Sequence, residues 1–385
     1  MQDSWESMDV STANILNRTT QAFYASQAES FSATRQSAWA GWQRVLADTG
    51  WEGEGAGGVS SAGFAGADGG ASIGSGAGAS DAAGVTGEGA DGALQRGEDA
   101  DDVMCADAEE ARRHSAGASG DGGGTQRGSA LRCGETEGAG ASVAPVHRIL
   151  DVACGNVRFK SFLESALPNA TWDYRAVDAC EQLVGAPAGV VFTSCDIVSA
   201  LIEDRALSFV SSGSKGVGVA FVPGGSIGDA REDAPCEDAA CRGAGSEGAN
   251  VDLTVCFGFF HHVPGRMARE RLLRALCAAT VPGGFVAVSL WRFMDEPGLA
   301  KKTHESHAAA LKYFAEQGLY LNLDANDYLL GWQQAKGIFR YCHHFDDEEV
   351  KALAASVSDV AQLTDCFRAD GRTGNLNEYL VFRVR

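Results

Sequence analysis

Residues 149–159 read Ile-Leu-Asp-Val-Ala-Cys-Gly-Asn-Val-Arg-Phe, which is the pattern of a β-strand that enters a tight turn and then a helix. A backbone that approaches a ligand at such a turn needs small residues, and Ala153 and Gly155 supply them. Asp151 stands at the end of the strand, where its carboxylate can accept a hydrogen bond from a ligand ammonium group. The stretch therefore predicts a ligand-binding strand, turn and helix.

Two further acidic residues follow the next two predicted strands. Asp178 comes 23 residues after Gly155, at the end of a strand over 172–177, where a carboxylate can accept both hydroxyls of a ribose. Asp196 follows a strand over 190–194 and is placed to accept from an adenine amino group. Ligands of parallel sheets bind at the carboxyl ends of the strands, so the three acids predict one nucleoside site. A dinucleotide-binding fold is the alternative, but no third glycine or helix N-terminal Lys or Ser is present for a pyrophosphate.

The ordered part of the chain alternates strands and helices, which predicts an α/β fold with a doubly wound, mostly parallel sheet. A helix over 267–280 carries a stripe of leucines, Pro282-Gly283-Gly284 follows it, and Asp346 with Glu349 predicts a capped helix through Ala355. Further predicted elements are strands over 146–152, 251–260, 285–290 and 379–384 and a helix over 159–167.

Two segments differ sharply in composition from the remainder. Residues 52–145 consist mainly of Gly, Ala, Ser and Asp, and 203–250 are similar though milder, so both are expected to be flexible insertions, the first of them disordered. Residues 1–51 then form an N-terminal helical segment of the domain that continues over 146–385. The insertions carry −15 of the net charge of −20, and the remaining 243 residues are near −5. Nucleic acid is therefore not excluded as a partner, because Arg266–Arg274, Arg292, Lys301 and Lys302 could form a basic rim.

The sequence also predicts the cellular location of the protein and the redox state of its cysteines. There is no apolar run long enough to cross a membrane and no signal-peptide pattern at Met1, which predicts a cytoplasmic protein without membrane partners. The 11 cysteines include no C-x-x-C pair, so reduced thiols are expected. His343 and His344 beside Cys342 lack further ligand spacing, so no metal site is predicted.

These motifs together resemble those of the class I S-adenosylmethionine-dependent methyltransferases. The resemblance includes the fourth-strand segment Asp252–Pro264 and Val281-Pro-Gly-Gly284, and it implies a seven-stranded sheet and S-adenosylmethionine as the cofactor. The usual first motif is D-x-G-x-G-x-G, from which this chain departs at Ala153 and Val157, and the valine implies tighter packing at the helix start. The cofactor-binding residues implied by the resemblance are Asp151, Ala153, Gly155, Asp178, Ala179, Asp196, Ile197 and Phe257.

Segments outside this core are similar to the tRNA wobble-uridine carboxymethyl methyltransferases. Phe31 to Trp39 follow that family's F-x-x-T-R-x-x-x-W pattern, Asp327 to Trp332 its D-x-x-x-x-W pattern, and Arg340 to His343 its R-Y-Y-H pattern with Cys342 at the third position. The resemblance implies methyl transfer to a carboxylate, which needs no general base because the nucleophile is already anionic. Its catalytic candidates are Arg35, Arg340, His261 and His262, with the two arginines as a fork for the carboxylate.

The sequence leaves open the methyl acceptor, whether the protein is catalytic, and the roles of several residues. The acceptor is tRNA or a small molecule with a carboxyl or hydroxyl group, and a hydroxyl or amine would require one of the histidines as general base. A non-catalytic S-adenosylmethionine-binding module is a further alternative, and eukaryotic members of the resembled family act with a small zinc-binding activator subunit. Taken alone, Arg35 also fits a helix surface, and either histidine also fits a structural role. Trp39, Trp42, Trp332 and Tyr341 also fit the core or a lid.

Overall fold

The computed structural model describes residues 8–51, 146–185, 188–211, 217–222, 250–332 and 335–385. The insertion expected at 52–145 lies outside the described residues, as does most of the one expected at 203–250. The helices are α1 Val10–Ala33, α2 Gly41–Thr49, α3 Arg158–Ala166, α4 Glu181–Val184, α5 Ile197–Ile202, α6 Arg266–Ala279, α7 Pro297–Glu316 and α8 Asp347–Ala355. The strands are β1 Val146–Val152, β2 Thr171–Asp178, β3 Val190–Ser194, β4 Ala206–Ser211, β5 Val217–Val222, β6 Val251–Cys256, β7 Thr280–Trp291, β8 Asp327–Gly331, β9 Phe339–His343, β10 Ala361–Ala369 and β11 Asn377–Val384.

Seven of the strands form one sheet in the order β10-β11-β7-β6-β1-β2-β3. The strands from β7 to β3 run parallel to their neighbours, whereas β11 is antiparallel to both β7 and β10. The chain starts in the middle of the sheet and winds outward first to β3 and then back across β1 to β6 and β7. The predicted doubly wound, mostly parallel seven-stranded sheet is confirmed.

Helices cover both faces of this sheet because successive side chains of a strand point to opposite sides. Leu150 of β1 packs in a core with α5, α6 and α8, which supply Val198, Leu272 and Val350 among others. Its neighbour Ile149 packs in a second core with α2 and α3. The leucine stripe predicted for the helix over 267–280 is buried against the sheet, and the cap predicted from Asp346 and Glu349 is confirmed as a full capping box.

The structure alters two sequence-based expectations about element boundaries. Strand β6 ends at Cys256 rather than at Phe260, and strand β7 already includes Gly283 and Gly284 instead of starting after them. Only glycine fits at position 284 without a shift of the backbone, because a Cβ there would lie 2.8 Å from the carbonyl oxygen of Asp252 on β6. The absent side chain therefore lets the two strands approach one another at their amino ends.

Part of the second expected insertion is ordered. Strands β4 and β5 form a two-stranded antiparallel hairpin, and Phe209 of β4 is 1% exposed in the core beside α6. The prediction that the chain is flexible from residue 203 onward is therefore wrong for this hairpin. The hairpin was not predicted because Gly-rich residues surround its two short strands. Residues 212–216 and 223–249 of the same segment lie outside the described residues.

A stack of aromatic rings holds the two chain ends that flank residues 52–145. The Trp51 ring stacks on His147 with centroids 4.2 Å apart, and His147 in turn contacts Trp172 at 5.3 Å. Trp51 and His147 are both buried. The flanks are thus joined by contacts of the folded domain itself.

We expect that a linker of about ten Gly and Ser residues can replace residues 52–145 and that the shortened protein is more stable. Closing a shorter loop loses less entropy, at about 0.6 kcal/mol for each halving of length, which gives about 2 kcal/mol in total. Urea denaturation of both chains measures this difference. Trp51→Ala in the shortened chain is the control and should reverse the gain, while a shortened chain that unfolds at lower urea would contradict the expectation.

Helix α1, the β8–β9 hairpin and α7 form a layer beside the carboxyl edge of the sheet. The Thr20 hydroxyl of α1 accepts a hydrogen bond from the backbone N–H of Tyr341 on β9 at 3.0 Å, and the hydroxyl of Thr12 accepts one from the N–H of Asn322 at 3.2 Å. Leu16 and Tyr341 are fully buried between them. In the part of the chain described, none of the helices has the length and apolarity that a membrane span requires.

Candidate functional site

A cavity of about 640 Å³ opens at the carboxyl ends of β1, β2, β3 and β6. Its volume is in the range typical of small-molecule and cofactor sites. All eight predicted cofactor-binding residues and all four predicted catalytic residues line it, namely Arg35, Asp151, Ala153, Gly155, Asp178, Ala179, Asp196, Ile197, Phe257, His261, His262 and Arg340. Residues scattered over 306 positions of sequence thus share one site, called the strand-end cavity below.

The turn after β1 has a left-handed backbone at three positions. Ala153 has φ 57°, Gly155 φ 53° and Val157 φ 57°. L-residues with a Cβ are disfavoured in this region, and a β-branched residue most of all. The two positions where the sequence departs from the glycine pattern therefore keep the backbone that glycine would adopt, and the Val157 side chain is 3% exposed in the core against α3. The valine side chain is thus packed in the core at this helix start, where glycine would have none.

We expect Ala153→Gly to stabilise the protein by about 1 kcal/mol. Relief of the left-handed strain contributes about 1–2 kcal/mol, and the greater freedom of glycine in the unfolded chain offsets about 0.5–1 kcal/mol of it. Chemical denaturation measures the difference. Ala176→Gly on β2, a buried position in extended backbone, is the matched control and should lose stability. Equal losses in both variants would show that Ala153 is unstrained.

Asp151 is a fully buried carboxyl group at the bottom of the cavity. It is 3% exposed and accepts a hydrogen bond from the Tyr174 hydroxyl at 2.6 Å. Burial raises its pKa to about 7, and the hydrogen bond from Tyr174 only partly opposes this. A cationic partner in the cavity would restore its negative charge, so the site favours a ligand ammonium group.

Asp178 closes the turn from the neighbouring strand. One of its carboxylate oxygens accepts from the Gly155 N–H at 2.9 Å and the other from the Cys180 N–H at 2.8 Å. Burial raises its pKa, while these backbone hydrogen bonds act in the opposite direction. Each oxygen retains an acceptor position. The geometry therefore suits the pair of hydroxyls of a ribose.

Asp196 is occupied by protein groups instead. It caps α5 by accepting from the Ser199 N–H at 3.0 Å, and it also accepts from the Ser199 hydroxyl, from the Asn17 amide at 3.2 Å and from the Gln21 amide at 2.5 Å. These donors show that Asp196 caps α5 and anchors α1, while its expected contact with an adenine amino group stays a prediction. Sequence reasoning could not see these amides because α1 lies 175 residues or more away in the chain.

The opposite side of the cavity is cationic and aromatic. The guanidinium carbon of Arg35 lies 3.5 Å from the Phe31 ring centroid and 5.7 Å from that of Trp332. Arg340 is 3% exposed, with its guanidinium carbon 5.8 Å from the Phe31 centroid and 5.5 Å from that of Trp332. The two arginines thus share the same two rings, and the three motifs of the second resemblance converge here. Arg35 therefore lines the cavity and does not lie on an outer helix surface, which was the other position considered for it.

The two histidines differ in their hydrogen bonding. His262 Nδ1 lies 2.6 Å from the carbonyl oxygen of Tyr341, so this nitrogen carries the proton and donates, while Nε2 accepts from the Tyr24 hydroxyl at 2.8 Å. His261 Nδ1 is buried and has no hydrogen-bond partner in the ranges that the structure describes. His262 is thus fixed by the protein, whereas His261 is the histidine left with an unsatisfied nitrogen beside the cavity.

Both imidazoles are held neutral. Burial together with the charge of Arg340 lowers the pKa of His262 to about 3. Burial, His262 and Arg340 also lower the pKa of His261 well below its usual value. Groups with such low pKa values are weak bases near pH 7. The site is therefore poorly suited to removing a proton from a hydroxyl or amine.

The donor atoms of His261, His262 and Cys342 lie within 4.8 Å of one another, which raises the question of a metal. His262 Nδ1, the nitrogen 3.9 Å from the Cys342 sulfur, already donates to a carbonyl. The charge of Arg340, which lowers the pKa values of both histidines, also opposes a cation. The geometry therefore favours packing and hydrogen bonding over metal ligation for these three residues.

The basic rim expected along α6 is electrically compensated. Arg266 pairs with Glu270, Arg269 with Glu349, Arg271 with Asp204 and Arg274 with Asp359. Arg292 is 4% exposed and pairs with Asp295, Asp347 and Glu378. These arginines stabilise the surface of the fold and do not form an uncompensated patch for phosphates.

Sequence reasoning missed several residues that line the cavity, above all Tyr24, Trp291 and Arg158. The first two carry no recognisable pattern, because they reach the site only through the packing of α1 and the end of β7. Arg158 does carry a signal, since it is the first residue of the helix that follows the ligand-binding turn.

No protein-family model and no curated protein matches this sequence. Among solved structures, the fold is similar to a methyltransferase from Methanosarcina mazei described as S-adenosylmethionine-dependent, at 13% identity and a TM-score of 0.38, covering 62% of this chain and 92% of that chain. Another is a methyltransferase of that description from Clostridium acetobutylicum, at 9% identity and a TM-score of 0.30, covering 62% and 83%. A third is a Haloferax volcanii methyltransferase in complex with the Trm112 activator, at 9% identity and a TM-score of 0.32, covering 63% and 84%.

Proposed function

We propose that this protein is an S-adenosylmethionine-dependent methyltransferase that acts on a carboxylate oxygen. The proposal rests on the opposite charges of the two sides of the strand-end cavity. Asp151 and Asp178 lie at the strand ends, and Arg35 and Arg340 lie on the other side. The acidic side suits the ammonium and ribose of the cofactor, and the cationic side suits an anionic acceptor.

S-adenosylmethionine would supply an electrophilic methyl group on a positively charged sulfur. Asp151 would accept from its ammonium group, Asp178 would accept from its ribose hydroxyls, and the small residues of the turn would allow close approach of the backbone. Asp178 keeps acceptor positions beyond its contacts to Gly155 and Cys180, which fits this assignment.

The protonation states favour a carboxylate over a hydroxyl acceptor. A carboxylate is already ionised at pH 7 and needs only to be oriented, whereas a hydroxyl needs a base. Both histidines are buried, neutral and weakly basic. Arg35 and Arg340 would hold the carboxylate, and His261 would donate to it or to a neighbouring oxygen. Trp291 Nε1 is another buried donor beside His261 that lacks a partner among the residues described.

The finer proposal for the acceptor is a carboxymethylated wobble uridine of tRNA. Its support is that one cationic side of the cavity is formed by residues from all three motifs of the resemblance, namely Phe31, Arg35, Trp332 and Arg340. The paired arginines of α6 favour the alternative of a small organic acid, since they leave no uncompensated basic stripe there. A small activator subunit remains part of the tRNA proposal only.

Mass spectrometry of tRNA nucleosides from cells lacking the gene separates these acceptors. Accumulation of the free carboxymethyl uridine supports tRNA, whereas an unchanged profile excludes it. Purified protein is then assayed for S-adenosylhomocysteine release with aromatic and aliphatic carboxylic acids, with and without a Trm112-type activator. Absence of turnover with tRNA and with every acid would favour the non-catalytic binding module.

We expect Asp178→Ala to weaken S-adenosylhomocysteine binding by about 10-fold to 100-fold. The variant removes the acceptor for the ribose and also two hydrogen bonds that shape the turn, and bonds to charged groups contribute about 1.5–3 kcal/mol each. Titration calorimetry measures the affinity. Asp173→Ala is the matched control because Asp173 is on the same strand but pairs with Arg175 outside the cavity. Equal affinities of both variants would remove Asp178 from the site.

A further inference from the structure

Arg158 lines the strand-end cavity, and neither the sequence motifs nor the proposed roles account for it. It is the first residue of α3 and follows directly on the left-handed turn at Val157. Its guanidinium carbon lies 4.7 Å from the Trp39 ring centroid and 5.2 Å from that of Trp42. These rings hold the charged group at the side of the cavity formed by α2 and the turn.

The polar contacts of Arg158 leave most of its donors available. Its Nη1 donates to the carbonyl oxygen of Ser37 at 3.1 Å. A guanidinium has five N–H donors, and across the described ranges no carboxylate lies within salt-bridge distance of this one. A half-buried cation that lines a cavity without an ion-pair partner is well placed to bind an anionic ligand.

The electrostatic surroundings identify which ligand group this is. Burial and the charge of Arg35 lower the pKa of Arg158 to about 10, so it is still protonated at neutral pH. Asp151 raises this pKa, and Arg158 in turn lowers the pKa of Asp151, so each charge acts on the other across the cavity. Asp151 at the end of β1 and Arg158 at the start of the helix after the turn both line the strand-end cavity. One acceptor and one donor of opposite charge in the same cavity match the ammonium and carboxylate of an α-amino acid.

We propose that Arg158 binds the α-carboxylate of the amino-acid portion of the cofactor, next to the ammonium held by Asp151. This inference rests on the proposed cofactor. It leaves Arg35 and Arg340, which share the Phe31 and Trp332 rings, for the acceptor carboxylate. The planar guanidinium can form two parallel hydrogen bonds to a carboxylate, which a lysine cannot.

Removing the carboxylate from the ligand and the guanidinium from the protein tests the pairing in both directions. Calorimetry compares S-adenosylhomocysteine with its decarboxylated analogue, the 3-aminopropylthio adenosine, on wild-type protein and on Arg158→Gln and Arg158→Lys. We expect the wild type to prefer S-adenosylhomocysteine by about 10-fold to 100-fold. Arg158→Gln should lose this preference while it binds the analogue as the wild type does, and Arg158→Lys should keep part of it.

Arg44→Gln is the matched control, because Arg44 likewise lies over an aromatic ring, 4.2 Å from the centroid of Phe367, but pairs with Asp365 outside the cavity. It should retain the full preference. Equal weakening of both ligands by Arg158→Gln, or no preference in the wild type, would overturn the inference while leaving the cofactor proposal intact. A wild-type protein that binds neither ligand would overturn the cofactor proposal and the inference with it. Thermal unfolding of each variant confirms that the comparison is made on folded protein.

Discussion

Asp151→Asn is expected to weaken S-adenosylhomocysteine binding by about 100-fold at pH 8 and to abolish its dependence on pH. The aspartate is 3% exposed, and a buried ammonium that loses its charged partner typically loses about 2–5 kcal/mol of binding free energy. Asparagine has nearly the same shape, so the hydrogen bond from Tyr174 can be kept. The loss therefore reports the charge rather than a cavity.

The pH dependence follows from the raised pKa of Asp151, which is about 7 because of burial. An ammonium ligand binds the ionised carboxylate, so a protonated Asp151 must first lose its proton. The wild-type affinity should be constant above about pH 7 and should fall by about 10-fold per pH unit below it. Calorimetry between pH 5.5 and 8 measures both effects, with Asp252→Asn as control since Asp252 pairs with Arg148 outside the cavity. A flat wild-type profile would remove Asp151 from ammonium binding.

His343→Ala is expected to destabilise the fold by about 3–5 kcal/mol. His343 is 1% exposed, with Nδ1 2.7 Å from Asp327 and Nε2 2.9 Å from Glu349. The imidazole thus bridges β8 and α8 from the interior of the fold. Its removal leaves the Asp327 side chain, which is 0% exposed, short of one hydrogen-bond partner and opens a cavity in its place. The lost buried hydrogen bonds and the cavity together have this order of effect.

The same bridge should make the stability sensitive to acid. Burial raises the pKa of Glu349, but the hydrogen bond and charge of His343, with Arg269, outweigh it and hold this pKa at about 2. A lowered carboxyl pKa contributes stability that is complete above the unfolded value near 4.5 and is lost as the pH falls toward 2. Chemical denaturation from pH 7 to 3 measures this. His343→Ala should flatten the acid limb relative to Lys351→Ala on the exposed side of α8. Parallel curves for the two variants would exclude the bridge.

The amino-acid sequence alone was enough to predict where the acidic side of the site lies. Asp151, Gly155 and Asp178 occupy the ends of successive parallel strands, and the carboxyl ends of such strands meet at one edge of a sheet. The hydrophobic alternation of the strands and the leucine stripe of α6 were likewise sufficient for the doubly wound sheet, because burial on both faces imposes those patterns. These features depend on near neighbours and on one general rule of topology.

The adenine role of Asp196 and the basic rim of α6 could not be judged in this way. Both depend on which groups other elements bring to the residue, namely the amides of α1 for Asp196 and acids such as Asp359 for the arginines. The β4–β5 hairpin could not be predicted from the sequence for a different reason. Its short apolar strands stand within a Gly-rich composition that favours flexible chain, and Phe209 is fixed only by packing against the core beside α6.

The sequence by itself thus determined the class of fold, the strand-end location of the site and its acidic side, since these follow from local patterns repeated along the chain. Only the tertiary structure decided that Arg35 and Arg340 face the same rings, that His261 rather than His262 has an unsatisfied nitrogen, and that Arg158 lines the same cavity as Asp151. The physical reason is that charge, burial and hydrogen-bond satisfaction belong to a side chain's complete surroundings. Those surroundings are assembled from α1, α3, β6 and β9, which are distant in the chain and meet only when the domain is folded.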